Sequence, residues 1–259
     1  MSYALISFIH PWSESKADRL QQLLPAARDY YLSPESLCST WTYFTPSTRA
    51  KAPFQQLSAA PASTSGSGRP LLIGNIEIYD GKEGADRQLK KDWFKAFHKA
   101  VEQESLYARE PEIGVWTPVG GFVAREARQV HREGTVVMLA RFECKDGGKS
   151  KAAVVDALSR FAAWVKDNES ATYTYSVMVR RTKGENNEVI MFERYRDAKA
   201  IMEHGGRPQF KAMFKEILPH IQAKKTKMAE WEEVDYAFVG SEVGKPGKGQ
   251  EKVQLPAKL

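Results

Sequence analysis

Short phrases recur in the two halves of this chain in one fixed order, and that repeat restricts the fold more than any other feature. Glu77-x-Tyr79 returns as Glu193-x-Tyr195, and Phe94-Lys95-Ala96 as Phe210-Lys211-Ala212, both 116 residues later. Upstream, Ser15-Lys16-Ala17 returns as Ser150-Lys151-Ala152 at an offset of 135, and Thr42-Tyr43 as Thr174-Tyr175 at 132. The fall from 132 to 116 places 16 extra residues in the first half, within the Pro-, Ser-, Ala- and Gly-rich stretch 46–70. That composition predicts a mobile insertion, either a solvated loop or a lid over a pocket.

Hydrophobic periodicity changes in the same order in each half. Leu5–Trp12 and Thr135–Cys144 are rich in β-branched and aromatic residues and read as buried strands. Helical stripes follow: Leu20, Leu23, Leu24, Ala27 and Tyr31, with a kink expected at Pro25, and then Val154, Leu158, Phe161 and Val165. LCSTWTYF and ATYTYSVMVRR alternate with period two as second strands, and LLIGNIEIY and EVIMFERY read as third strands. Helices carrying DWFKAFHKAV and PQFKAMFKEI come next, and the strands IGVWTPVGGFV and EEVDYAFVG close the halves. The order β-α-β-β-α-β, twice, is the ferredoxin-like pattern of an α+β fold.

A four-stranded sheet with both helices on one face leaves its other face uncovered. The expected solution is that the two sheets pack on each other as an eight-stranded α/β barrel inside one chain, with a small-molecule cavity enclosed between them. Tethering makes that pairing intramolecular and therefore favourable. The expected boundaries are 1–126 for the first repeat, with the insertion at 46–70, then 132–240 for the second and 241–259 for a flexible tail.

Composition narrows the function. A chain of 259 residues is long enough for two such units. No apolar run approaches the roughly 18 residues of a membrane span, so no membrane segment is expected. MSYALISFIHPW reads as a first strand and not as a signal peptide. Cys38 and Cys144 stand apart, with no spacing that suggests zinc or a disulfide framework, which fits a reducing compartment. The net charge of +6 is partly a matter of the lysine-rich tail, and elsewhere bases alternate with acids as on solvated helix faces, so no nucleic-acid partner is expected. Glycine-rich phosphate loops, G-x-S-x-G and H-E-x-x-H are absent, which disfavours nucleotide chemistry. No cofactor and no metal are expected.

TVVMLARFEC, the turn into TYTYSV, IMFERYRD and above all EHGGRPQFKAMF make Thr135–Gln222 resemble the antibiotic biosynthesis monooxygenase (ABM) family of dimeric α/β-barrel proteins. The resemblance implies a ferredoxin-like barrel with a pocket. Some members oxygenate aromatic polyketides without flavin or metal, others degrade haem, and many have no known activity. A histidine opens the second helical region of that family with a phenylalanine six residues on, and His204 and Phe210 keep this spacing. A second family histidine is replaced by Gln209, and in the first half Gln88 stands where His204 stands in the second. The halves are therefore not equivalent, and one pocket could have been kept while the other became scaffold.

Cofactor-free oxygenation needs a base, an apolar pocket that admits dioxygen, and donors for the oxygenated anion. His204 is a candidate base, and the alternative is a packing or capping histidine. Tyr175 and Tyr43, at matched positions, are candidates to donate hydroxyls to a phenol or quinone, or simply to pack. Trp41 pairs with Tyr43, and Tyr173 with Tyr175, along one face of each second strand; they form an aromatic wall if that face is the inner one and core if it faces the helices. Glu193 and Tyr195 share a face, and the buried carboxylate must orient His204 or pair with Arg141 or Arg180. His10 interrupts an apolar strand, as a base facing the cavity or as the strand's end. The expected catalytic set is His204, Tyr175, Glu193 and His10, with Tyr43, Trp41, Tyr173, Tyr195 and Phe210 binding substrate.

These residues point to a cofactor-independent monooxygenase or related tailoring enzyme, with a planar aromatic substrate and dioxygen as partners. The alternative is a non-catalytic ligand-binding or stress-related α/β-barrel protein; a haem reading would use His204 or His98 as axial ligand. Ala257-Lys258-Leu259 resembles the C-terminal address read by the peroxisomal import receptor, so peroxisome or cytoplasm is expected. Further homo-oligomerisation is compatible with the fold.

Overall fold

A computed structural model describes residues 2–55, 57, 63–182 and 186–243. The first repeat comprises β1 (Tyr3–Pro11), α1 (Glu14–Leu23), α2 (Arg28–Leu32), β2 (Cys38–Pro46), β3 (Ile73–Tyr79), α3 (Lys82–Gln88), α4 (Asp92–Gln103) and β4 (Tyr107–Phe122). After β5 (Arg128–Val130), the second repeat comprises β6 (Val136–Glu143), α5 (Lys149–Asn168), β7 (Thr172–Arg180), β8 (Glu188–Tyr195), α6 (Ala198–Gly206), α7 (Pro208–Ile217) and β9 (Lys227–Glu233), and β10 (Phe238–Gly240) follows. A 3-10 turn over Leu24–Ala27 separates α1 from α2 where Pro25 removes a helical N–H. The continuous α5 has no such break.

Strand order closes the sheet on itself. The circuit runs β3-β1-β4-β7-β8-β6-β9-β2 and returns to β3 through the β2–β3 pairing. Each repeat contributes four strands in the ferredoxin-like order, and the seams are β4 against β7 and β2 against β9. The result is an intramolecular α/β barrel of eight strands with helices outside, and β10 and β5 extend the sheet beyond β2. The segment read as one closing strand, EEVDYAFVG, is split: β9 begins earlier, at Lys227, and a turn at Asp235–Tyr236 redirects the chain into β10.

Strand parity sorts side chains into the barrel interior and the helix-facing layers. Ile6, Phe8, Phe44, Ile76, Phe192 and Trp231 converge inside the barrel, and Trp231 touches the rings of Phe8, Phe44 and Phe54 at 5.9, 5.2 and 5.0 Å. Gly74 makes room for this packing, since a Cβ there would lie 2.0 Å from the Phe44 ring. Large rings from both repeats thus fill the space where a ligand cavity was expected; a gap of about 100 Å³ between Phe8, Leu57, Trp116 and Ile190 remains. One end of the interior is polar. There the buried Arg194 guanidinium holds Glu233 by two bonds of 2.7 Å, with Thr42 at 3.1 Å and His131 at 3.3 Å. Burial pushes the Glu233 carboxyl up, and the charges and bonds of Arg194 and His131 outweigh it, leaving it below the ordinary range.

The described part of the expected mobile insertion is docked. Residues 47–55 run beside β9, with Glu230 N–H donating to Pro53 at 2.8 Å and Gln55 N–H to Met228 at 2.8 Å. Arg49 pairs with the buried Glu230, and Leu57 is buried in the barrel core. Backbone pairing along an otherwise open stretch of β9 and burial of Phe54 and Leu57 offset the cost of ordering a loop of this composition. The described residues 47–55 and Leu57 therefore plug one end of the barrel. None of the described residues of the insertion lines the cavity described below. No helix among the described residues is long and apolar enough to cross a membrane. The terminal Ala257-Lys258-Leu259 lies outside the described residues.

Candidate functional site

A roomy cavity lies outside the barrel, between its sheet and the helices of the first repeat. β1, β2 and β3 turn alternate residues toward those helices, which brings Ser7, Trp41, Tyr43, Asn75 and Glu77 to one wall. Trp93, Phe94, Phe97 and His98 on α4 form the opposite wall, and the cavity measures about 500 Å³. Tyr31 stacks on Trp41 at 4.9 Å, and Tyr43 meets Trp41 edge-on at 5.3 Å. The aromatic pair Trp41 and Tyr43 thus faces helices, and it still lines a cavity.

One end of this cavity is polar. Glu77 Oε2 accepts from the Tyr79 hydroxyl at 2.5 Å and from Gln88 Nε2 at 3.2 Å. The Tyr31 hydroxyl donates to Gln88 Oε1, which leaves it 3.5 Å from Glu77 Oε1. Oε1 is therefore weakly satisfied. Burial pushes the Glu77 carboxyl up, and the bonds from Tyr79, Gln88 and Tyr31 oppose that shift only in part. Burial also holds the Tyr43 phenol well above its ordinary value, and the nearby Glu77 charge adds to the effect. His98, at the α4 wall, is lowered by burial and so favours the neutral imidazole. Trp93 Nε1 is buried with no hydrogen-bond partner among the described residues.

The equivalent layer of the second repeat contains most of the residues singled out in the sequence, and it is packed. His204 is buried at the end of α6, ringed by Phe161, Tyr175, Tyr195 and Phe210 at 5.0–5.4 Å. Its Nδ1 meets Glu169 Oε2 at 2.7 Å, and its Nε2 has no partner among the described residues. Burial raises the Glu169 carboxyl, and the bond and charge of His204, with Thr172, pull it below its ordinary value. Glu193 is held by the Tyr195 hydroxyl at 2.7 Å and raised by burial, with the His204 charge opposing. So Glu169, not Glu193, orients His204, and Arg141 and Arg180 are taken by Glu188 at 3.5 and 2.7 Å. A polar cleft of about 170 Å³ lies beside His204, Glu169 and Arg207.

Two candidates fall elsewhere. His10 is fully buried on the inward parity of β1, where its Nε2 lies 3.0 Å from Glu112 and 2.9 Å from Arg109, and it does not line the cavity. Tyr173 is buried under the Arg132 guanidinium, 5.4 Å from its ring centre, away from His204. Glu77, Gln88, Asn75 and Ser7 were not singled out as site residues. The repeat offset that pairs Glu77 with Glu193 and Gln88 with His204 was the signal that could have found the first two.

Three positions explain why one layer is open and the other filled. Carrying the offsets of the repeat across, Ser7 corresponds to Phe142 and Asn75 to Met191. Matching the buried stripes Leu20, Leu24, Ala27 and Tyr31 to Val154, Leu158, Phe161 and Val165 sets Ala27 against Phe161. Ser7, Ala27 and Asn75 line the first cavity, whereas Phe142, Phe161 and Met191 pack in the second core.

This architecture defines a class: two ferredoxin-like repeats fused into one α/β barrel, with a cavity in a helix-facing layer. Whole-length structural relatives share the fold. A candidate monooxygenase from Lactobacillus acidophilus NCFM superposes with a TM-score of 0.65 at 12% identity, over 92% of this chain and 98% of that one. A second candidate monooxygenase, from Fusobacterium nucleatum, gives 0.67 at 12% identity over 93% and 95%. A structure described as an anthrone oxidase-like protein gives 0.59 at 10% identity over 100% and 97%. Among curated proteins, no sequence matches this chain. Residues 135–216, within the second repeat, match the family model of the antibiotic biosynthesis monooxygenase.

Proposed function

We propose that the chain is a cofactor-independent monooxygenase, or a tailoring enzyme of related chemistry, that acts on a planar aromatic, polyketide-like molecule in the first-repeat cavity. The observation that carries this reading is a single buried carboxylate, Glu77, with one weakly satisfied oxygen at the end of an aromatic-walled cavity of about 500 Å³. That volume suits a fused-ring ligand. The match of residues 135–216 to the ABM family model and the fold shared with an anthrone oxidase-like protein support the reaction class.

Glu77 Oε1 accepts the proton that turns the substrate into an electron-rich anion. Tyr79 and Gln88 fix its carboxylate, and burial makes it a stronger base than an exposed glutamate. Dioxygen then takes four electrons from a benzylic methylene: one oxygen atom becomes the ring carbonyl and the other leaves as water with both methylene hydrogens. The Tyr43 phenol, kept protonated by burial, is a donor for the oxygenated anion.

The test is oxygen uptake by the full chain, freed of metal and flavin, with an anthrone. Uptake is expected to rise with pH along a limb displaced above the ordinary carboxylate range, because the base form of Glu77 is required. Glu77→Gln is expected to lower turnover by about 100-fold or more and to abolish the limb. Unaltered turnover in that variant overturns the assignment. Tight anthrone binding with no uptake identifies a non-catalytic binding barrel instead.

A further inference from the structure

The cavity's charge lining is unusual for this chain. The sequence carries 38 Lys and Arg and a net charge of +6, yet among the described residues that line the cavity none is Lys or Arg. Its ionisable carboxyls are Glu77 and, at the rim, Asp86. Three cations on the neighbouring helix surface are held in ion pairs: Lys82 with Asp86, Arg87 with Glu83, and Lys91 with Glu35. His98 is the one other basic group on the wall, set against the rings of Phe94 and Phe97 at 4.3 and 5.4 Å. Everything else facing the space is aromatic, aliphatic or a neutral polar group such as Ser7, Asn75 and Gln88.

A carboxylate or phosphate drawn into such a space loses its hydration and meets no positive partner, and it approaches a like charge at Glu77. A phenol or a carbonyl meets a different set, with an acceptor in Glu77 Oε1 and a donor in Tyr43. We infer that the first-repeat cavity selects uncharged, carboxyl-free aromatic ligands and rejects the same ring system when it carries an anionic substituent. The inference rests on the assignment of substrate to this cavity and adds the charge class that the cavity accepts. Selection here works by an unmet desolvation cost and like-charge repulsion, not by a better contact to the preferred ligand.

The experiment is a pair of equilibrium titrations of the full chain at pH 8, following quenching of tryptophan fluorescence, which Trp41 and Trp93 place at the site. One probe is a dihydroxyanthraquinone, and the other is the same ring system bearing one carboxylate. The carboxylated probe is expected to bind at least about tenfold more weakly. Glu77→Gln narrows that ratio, because it removes the like charge, and Leu89→Lys, at an exposed rim position, narrows it by supplying a partner. Equal or tighter binding of the carboxylated probe by the unsubstituted protein overturns the inference and leaves the oxygenase reading standing. Failure of both probes to bind overturns the inference together with the assignment of substrate to this cavity.

Discussion

The two helix-facing layers of this molecule began from the same plan and reached opposite states. Each has a buried glutamate two residues before a tyrosine on its third strand, Glu77 with Tyr79 and Glu193 with Tyr195. Each has a pair of aromatic residues on its second strand. The first layer keeps about 500 Å³ of open space, whereas the second is closed around His204 by four aromatic rings. Small or polar residues at three wall positions, against two phenylalanines and a methionine, account for the difference. A duplicated fold can thus diverge, with one layer keeping an open cavity and the other forming a well-packed scaffold.

Substitutions that exchange the character of the layers test this directly. The largest effect is expected from Phe161→Ala, which hollows the second core and should cost about 3–5 kcal/mol of stability in urea denaturation. A much smaller loss would mean that the second layer is less well packed than its rings indicate. Next comes the converse change. Ser7→Phe combined with Asn75→Met puts second-repeat residues into the first cavity and should weaken dihydroxyanthraquinone binding by about 100-fold while circular dichroism stays unchanged. Retained affinity would locate the ligand elsewhere.

A smaller and pH-dependent effect is expected from His204→Ala. Glu169 is held below its ordinary value in the folded chain, so its contribution to stability is present at neutral pH, above the unfolded carboxylate value, and fades as pH falls through the folded value. The variant should lose roughly 1–3 kcal/mol at pH 7, the difference from the parent should shrink in acid, and oxygen uptake should persist. A collapse of turnover at equal stability would move the chemistry to the second repeat.

Much of the fold was legible in the sequence, because topology follows from the order of periodicities and from offsets that hold across strand and helix. The offset of 116 shared by Glu77/Glu193 and Phe94/Phe210 already implied two copies of one unit. Two things were not legible from those patterns. Parity showed that Trp41 and Tyr43 share a face, but a strand buried on both sides carries no mark of which face meets helices and which lines the barrel. The barrel interior was therefore credited with a cavity that Phe44, Phe192 and Trp231 fill. The open layer was missed for a related reason: His204 drew the assignment by its chemistry and spacing, while cavity formation depends on summed side-chain volume at Ser7, Ala27 and Asn75. Those residues carry no motif. Their meaning appears only when each is set against its counterpart, Phe142, Phe161 or Met191. The docking of residues 47–55 and Leu57 was not legible because the Pro- and Ser-rich composition around them masks Phe54 and Leu57, the two side chains that anchor this part in the barrel.

The most direct test of the central claim is a crystal structure of the full chain with a dihydroxyanthraquinone bound. Ring density between α4 and the β1–β3 wall, with a hydroxyl within hydrogen-bond distance of Glu77 Oε1, is the predicted result. Density beside His204, or inside the barrel against Trp231, would contradict it.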